Sequence, residues 1–453
     1  MNKHPVTVSG LAGLAFAALT VAVSGVLVAP PASASGFQLN ENSVKAMGRA
    51  YAGRATAGGD ASVVFNNPAA MADLDGYMLQ VDATAISTHF KYSGTGTDAI
   101  GQPLSGGNGG NGGGVAAVPA IFFVAPMGDA WRVGFGVTAP FGLKTEYDGN
   151  WMGRYNAIKS SLKVIDYTGS LSWAVNPGFS LGLSVIAQKA TADLSNAVNY
   201  GAIFAGPPFN LAPTFLPQSA DGLARVRGDD WAWGWQLGAE FKPTAQDRIA
   251  IDYRAEINHT LSGNAYFSMP QSVQFVLSQP GVPPLFQNTG ARADLDTPAT
   301  ISASYWHQTQ GPVGWGVEVS RTGWSSFDQL RVDYDNPAQP PTIEPEDWRD
   351  TWFASLGMDY KVSDQWTWRA GVAYDQNPTR DSTRSPRLPD GSRRWIALGA
   401  TWSPNSTTEL NFGYVHLFVG DGDINNVSAT GDHLVGSFDN SADLFGISMQ
   451  YKF

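Results

Sequence analysis

Five residues, GFSLG (178–182), have the G-x-S-x-G spacing that in hydrolases lifts a serine onto a sharp strand-to-helix turn. Here the motif opens a run in which apolar and polar or small residues alternate. Ser180 therefore belongs to a strand face and not to an elbow. A nucleophile also needs a base, and His89, His259, His307, His416 and His433 stand singly, with no metal-ligand or triad spacing. The chain has no cysteine, which removes thiolate metal sites, redox pairs and disulfides. "GGNGGNGGG" (106–114) lacks the strand-to-helix context of a phosphate cradle and reads as a flexible surface loop. The expectation is no enzyme, no metal and no cofactor.

What remains is chemistry of solvation. Two long segments that should be polar loops are rich in large apolar residues. The first, 195–228, holds Phe204, Phe209 and Phe215, and the second, 263–296, holds Phe267, Val273, Phe275, Val276 and Leu277. Val273, Val276 and Leu277 have the spacing of one helix face. The two segments either cover each other or leave an apolar groove for a hydrophobic small molecule. For a ligand with a carboxylate, the candidate partners are Lys144, Arg154, Lys159, Lys163, Arg225 and Arg227. The loop "TRDSTRSPRLPDGSRR" (379–394) reads as a face for anionic lipopolysaccharide through Arg380, Arg384, Arg387, Arg393 and Arg394. Net charge is −11, or 27 − 39 = −12 without residues 1–34, which argues against a nucleic-acid partner.

The elements that must position these residues are legible from period-two alternation. "DWAWGWQLGAEF" puts Trp231, Trp233, Trp235, Leu237 and Phe241 on one face. "RIAIDYRAEINH" puts Ile249, Ile251, Tyr253, Ala255 and Ile257 on one face, with Arg248, Asp252, Arg254, Glu256 and Asn258 on the other. Three tryptophans on an open face call for hydrocarbon outside, and the charges then call for a lumen. Short polar turns at 126–130, 176–178, 242–247, 309–312, 361–365 and 403–407 join twelve such strands. A strand near 77–92 and the alternating C-terminus ending at Phe453 bring the total to fourteen, with long connections on the opposite side. The fold class is all-β, a 14-stranded antiparallel transmembrane β-barrel of the Gram-negative outer membrane, acting as a monomer. Residues 1–34, closing on Ala32-Ser33-Ala34, read as a signal peptide, 35–76 as an N-terminal hatch (plug), and 77–453 as the barrel.

Fourteen strands enclose a lumen that leaks unless it is filled. "SGFQLNENSVKAMGRAYAG" followed by "NNPAAM" resembles the hatch of the FadL/TodX family of outer-membrane transporters for long-chain fatty acids and other hydrophobic compounds. "APFGLKTEYDGNWMGRYNAIKSSLKVI" (139–165) resembles that family's segment after the third strand. Asn67, Pro68 and Ala69 match the hatch motif, which also reads as a helix start with Asn67 as cap and Pro68 in the first position. The resemblance implies capture in the apolar loops, hatch rearrangement involving Phe37, Asn67, Pro68 and Ala69, and lateral exit at a kink in the third strand. Gly134, Gly136 and Pro140 are the residues there that interrupt a ladder; glycine is also simply common on lumen faces. The alternative is a general hydrophilic porin, passing small polar solutes through an open lumen.

Overall fold

The computed structural model describes residues 36–56 and 59–453, so the expected signal peptide (1–34) lies outside the described residues. From Met78 onward the chain is one closed antiparallel barrel of fourteen strands. Six are joined by the first long connections and turns: β1 (Met78–Thr97), β2 (Val115–Met127), β3 (Trp131–Glu146), β4 (Lys159–Asn176), β5 (Phe179–Asn199) and β6 (Asp221–Phe241). Four more are each split in two: β7 (Asp247–Arg254, Ile257–Ser268), β8 (Thr289–Thr297, Thr300–Gln308), β9 (Val313–Thr322, Gln329–Tyr334) and β10 (Thr342–Pro345, Thr351–Lys361). The last are β11 (Trp366–Asp375), β12 (Arg393–Trp402), the split β13 (Thr408–Val419, Gly422–Val427) and β14 (His433–Lys452). β14 closes on β1 in unbroken register from Met78↔Lys452 to Thr97↔His433, so no sheet edge is left at the seam. Among the described residues no helix is long and apolar enough to cross a membrane. Strands do the crossing.

The outer wall is apolar because hydrocarbon is its solvent. Trp231, Trp233, Trp235, Leu237 and Phe241 all point outward, Trp233 most of all at 73% exposed. Stacked pairs Trp131–Trp173 and Trp366–Trp402, with centroids 5.5 and 6.3 Å apart, lie beside the short turns, where amphipathic rings suit the membrane interface.

The expected two-face pattern of β7 holds only for its lower half. Ile249, Ile251 and Tyr253 face out while Asp252 and Arg254 are buried inside. From Gln236↔Arg254 to Asp229↔Ser262, β6 advances seven residues and β7 eight. This one-residue bulge reverses the parity. Ile257 and Leu261 now face inward, and Glu256 and Asn258, expected in the lumen, face out and are exposed. β8 reverses in the same way across Pro298–Ala299, with Leu295 inside and Ile301 outside. The barrel thus continues beyond the apolar band, into segments that the sequence reads as loop. There the outside meets water, and the inside is free to be apolar.

The N-terminal residues fill the lower lumen. Asn67 caps the 3-10 turn Pro68–Asp73, its side chain accepting from Ala69 N, with Pro68 in the first position. Its amide also donates to Ala55 O (3.1 Å) and Ala239 O (3.3 Å), tying the motif to both hatch and wall. The wall makes room with glycine. A Cβ on Gly238 would lie 1.9 Å from Asn67 Oδ1, and one on Gly182 would lie 2.2 Å from Ala69 N. The second glycine of GFSLG is therefore a socket for the hatch. At the periplasmic end, Asp73 pairs with Lys242 and, at 3.2 Å, with Arg248.

Candidate functional site

Above the hatch the interior is hollow, with a mixed polar and apolar lining near the mouth and an apolar one beneath. A chamber of about 600 Å³ opens between the extracellular segments, walled by Ile203, Phe209, Phe267 and Phe286 and by Tyr334 and Ile343 of the barrel extensions. Beneath it a smaller cavity, about 90 Å³, is lined by Leu143, Leu162, Leu261, Leu295, Phe327 and Trp348, with Phe37 at its wall. Both are bounded by Leu194, Val226, Leu330, Val332, Glu346 and Arg387, so the compartments adjoin. Phe37 sits in an aromatic cage, with ring centroids 4.6 Å from Trp324, 5.5 Å from Trp348, 5.7 Å from Phe327 and 5.9 Å from Phe141. A ring buried this well, 3% exposed, makes Phe37 a stopper in the wall of the inner cavity.

The wall next to that stopper is incomplete. β2 pairs with β3 only from Met127↔Trp131 to Ile121↔Val137. The rest of β2, Val115 to Ala120, pairs with β1 alone. On β3 the register against β4 shifts between Thr138 and Phe141, so Ala139 and Pro140 together oppose one residue, Ile165. Backbone groups freed on that edge are taken by the hatch: Leu39 N donates to Pro140 O (2.7 Å) and Gly142 N to Phe37 O (2.7 Å). Leu39 belongs to the same buried cluster as Ala116 and Val118 of β2, against which Ala139 of β3 packs. Residues 37–39 thus pair with the open edge of β3, and Phe37 also forms part of the cavity wall. Gly134 and Gly136 sit lower, against Met71 and Val64 of the hatch, where a Cβ on Gly134 would be 2.5 Å from Met71 Sδ.

The eight apolar loop residues singled out by sequence do not all converge. Phe209 and Phe267 line the chamber. Phe204, Phe215 and Val273 are buried together in a core that holds the two segments to each other, and Val276 and Leu277 pack against it. Phe275 is 68% exposed and faces away. Mutual covering and a groove are both present, assigned to different residues.

The basic candidates are mostly spoken for. Arg154 pairs with Asp221 at 2.8 Å, while Lys159, Arg225 and Arg227 share Asp193. The arginine-rich loop differs from its expected exposure to lipopolysaccharide. Arg384, Arg387 and Arg393 are buried and only Arg380 and Arg394 are exposed, because the loop folds into the barrel mouth where carboxylates receive it. Arg387 holds Glu344 through Nε (2.8 Å) and Nη2 (2.9 Å) and borders both cavities. Beside it, burial and the Glu344 charge push the Glu346 carboxyl up to about 8; Trp348 Nε1 donates to it at 2.9 Å. Sequence reading missed this pair and the inner cavity. The available signal was the leucines at 261 and 295, whose lumenal parity appears only once the bulges are placed, and Leu162, which plain alternation along β4 already puts on the lumen face.

The described residues hold no group of three or more His, Asp or Glu arranged for a metal ion. Ser180 is buried on the lumen face of β5, with no histidine among its hydrogen-bond partners. The family described as outer membrane protein transport protein (OMPP1/FadL/TodX) matches residues 25–453. A crystal structure of a Pseudomonas aeruginosa FadL homologue superimposes with a TM-score of 0.86 at 32% identity, covering 92% of this chain and 100% of that one. The long-chain fatty acid transport protein of Escherichia coli O6:H1 is 28% identical over 88% of this chain and 91% of its own length. The P. putida toluene transporter TodX shares the fold, with a TM-score of 0.66 at 18% identity over 87% and 94% of the two chains.

Proposed function

This chain belongs to the OMPP1/FadL/TodX family of outer-membrane transport proteins, and on that premise we propose that it takes up long-chain fatty acids or similar hydrophobic compounds by a wall route. Cargo enters the chamber between the apolar segments, where each buried methylene contributes roughly 0.8 kcal/mol. It advances into the cavity beside Phe37. Withdrawal of residues 37–39 then joins that cavity to the gap between β2 and β3, and the cargo leaves sideways into the membrane. No energy source beyond the concentration gradient is invoked. The observation that carries the reading is the coincidence of stopper and gap. Phe37, which walls the cavity, and Leu39 two residues on supply the ladder bonds that β3 makes at Pro140 and Gly142.

For a carboxylate cargo, Arg387 is the cation that both compartments share. A hydrophilic porin has no use for an inner cavity walled by leucines or for a lumen packed with buried hatch side chains such as Met47, Val64 and Met71. The test is deletion of Pro140, which removes the extra residue of the β3 bulge and lets the ladder run in register. Expected are ligand binding within two-fold of the parent, by quenching of Trp fluorescence, and uptake in proteoliposomes reduced at least ten-fold. Unchanged uptake overturns the wall route, and free permeation by sugars without affinity for oleate overturns the transporter.

A further inference from the structure

The glycine-rich segment 105–114 does not behave as the flexible loop its composition suggests. It runs in the lane that β2 leaves empty above the gap, hydrogen-bonded on both sides. Toward β1, Thr88 N donates to Gly114 O (2.8 Å) and Gly112 N to Phe90 O (2.9 Å). Asn111 Oδ1 accepts from Phe90 N at 2.9 Å and from Gly113 N at 3.1 Å, clipping the segment to that strand. Toward β3 and the chain beyond it, Glu146 N donates to Gly112 O (2.9 Å), Asp148 N to Gly109 O (3.1 Å) and Met152 N to Gly107 O (3.0 Å). Gly112 alone therefore bridges the two strands between which the gap lies. Beneath it is a box of Tyr92, Tyr147, Trp151 and Phe438, with Tyr147 and Trp151 stacked at 4.5 Å.

Only some of these glycines are sterically required. A Cβ on Gly112 would lie 2.3 Å from the Tyr147 ring, and one on Gly113 would lie 2.3 Å from Thr88 O. Gly107 and Gly114 have nothing within 4 Å of theirs. The strap thus depends on particular close approaches to its neighbours, and not on flexibility.

We infer that this strap is the lintel of the wall opening: Gly112 and Gly113 are positioning residues that hold upper β3 away from upper β2 and so set how much of the wall stays open to cargo. The inference rests on the wall route proposed above. The gap is bounded below by Ile121↔Val137 and above by Gly112–Glu146, and between them Pro140–Gly142 of β3 pairs with the withdrawable hatch residues 37–39. Unpaired backbone groups facing hydrocarbon are strongly driven to pair. Once the strap is unseated, withdrawal of residues 37–39 leaves Thr138–Leu143 free to zip onto Val115–Ala120, and the opening narrows.

Gly112→Val and Gly113→Val test this against Gly107→Val and Gly114→Val. Each is checked for the heat-modifiable gel mobility of a folded barrel, then assayed with oleate for affinity and for maximal uptake rate in proteoliposomes. Expected are a maximal rate at least five-fold lower in the first pair with affinity within two-fold, and parental behaviour in the second pair. Asn111→Ala, which removes the clip without adding bulk, is expected to lower the rate about two-fold and serves if the valine variants do not fold. Parental rates in all of them overturn the lintel. So does equal loss in the Gly107 and Gly114 variants, or loss of affinity in step with rate. If Pro140 deletion also leaves uptake intact, the wall route itself has failed. If that deletion stops uptake while the strap variants do not, the lintel alone has.

Discussion

Arg387 and Glu346 lie at the junction of the two cavities, and their chemistry decides what a ligand headgroup meets. A hydrogen bond to a charged partner contributes about 1.5–3 kcal/mol, so Arg387→Met should weaken oleate binding roughly ten- to hundred-fold. A neutral alkane of the same length should be held as before, and equal losses for both ligands in Trp quenching would remove Arg387 from ligand contact. Glu346 supplies a pH dependence. Its carboxyl, raised to about 8 by burial, is mostly protonated at pH 7 and ionised at pH 9. Oleate is anionic at both values, so its affinity should fall as pH passes 8, and Glu346→Gln should flatten the profile. The sign for stability is the same. A carboxyl whose folded value is raised binds more protons folded than unfolded, so its contribution is present at low pH and is lost as pH rises through about 8.

At the scale of elements, β7 shows that one strand can obey opposite rules at its two ends. Below the bulge Ile251 is solvated by lipid; above it Asn258 faces water from the same outer wall. Ile251→Arg should cost about 2–4 kcal/mol in urea unfolding from lipid vesicles, the range for a charge near the bilayer midplane. Asn258→Arg should stay within about 0.5 kcal/mol, as surface substitutions do. Equal costs would place both residues in the same solvent and void the parity reversal. The hatch is likewise an element defined by what the wall concedes. Valine at Gly238 puts branched bulk where Asn67 Oδ1 now sits, so Gly238→Val should unseat the motif. In planar bilayers its ion conductance should rise several-fold over the parent, whose lower lumen is packed with hatch side chains.

For the whole molecule, the governing fact is that three solvents meet one closed sheet: hydrocarbon around the middle, water at both rims, and protein within. Lower down, the lumen is filled by hatch side chains in clusters with the wall, Val44 and Met47 against Val415 and Leu444, Val64 and Met71 against Phe122 and Val124. Higher up, the described residues leave a cavity walled by leucines and aromatic rings instead. A molecule built this way has its weak points by design of topology. The ladder is interrupted beside the inner cavity, and the pieces that cover the interruption are short segments held by a few backbone hydrogen bonds.

Much of this is decided by the sequence alone, because period two is a local property. The outward tryptophans of β6, the six short turns, the closing strand at Phe453 and the class of barrel follow from alternation and from what lipid tolerates. The match of Asn67-Pro68-Ala69 is equally local. The ligand space is not. A bulge costs one residue and leaves no mark in composition, yet it reverses the face of everything after it, so Leu261 and Leu295 turn inward only in the folded chain. The partner of Arg387 is a glutamate 43 positions away in sequence, and the strap acquires its rigidity from rings that Tyr92, Tyr147 and Phe438 bring from three different places. Register, closure and long-range contact are properties of the sheet as assembled, and no window of sequence contains them.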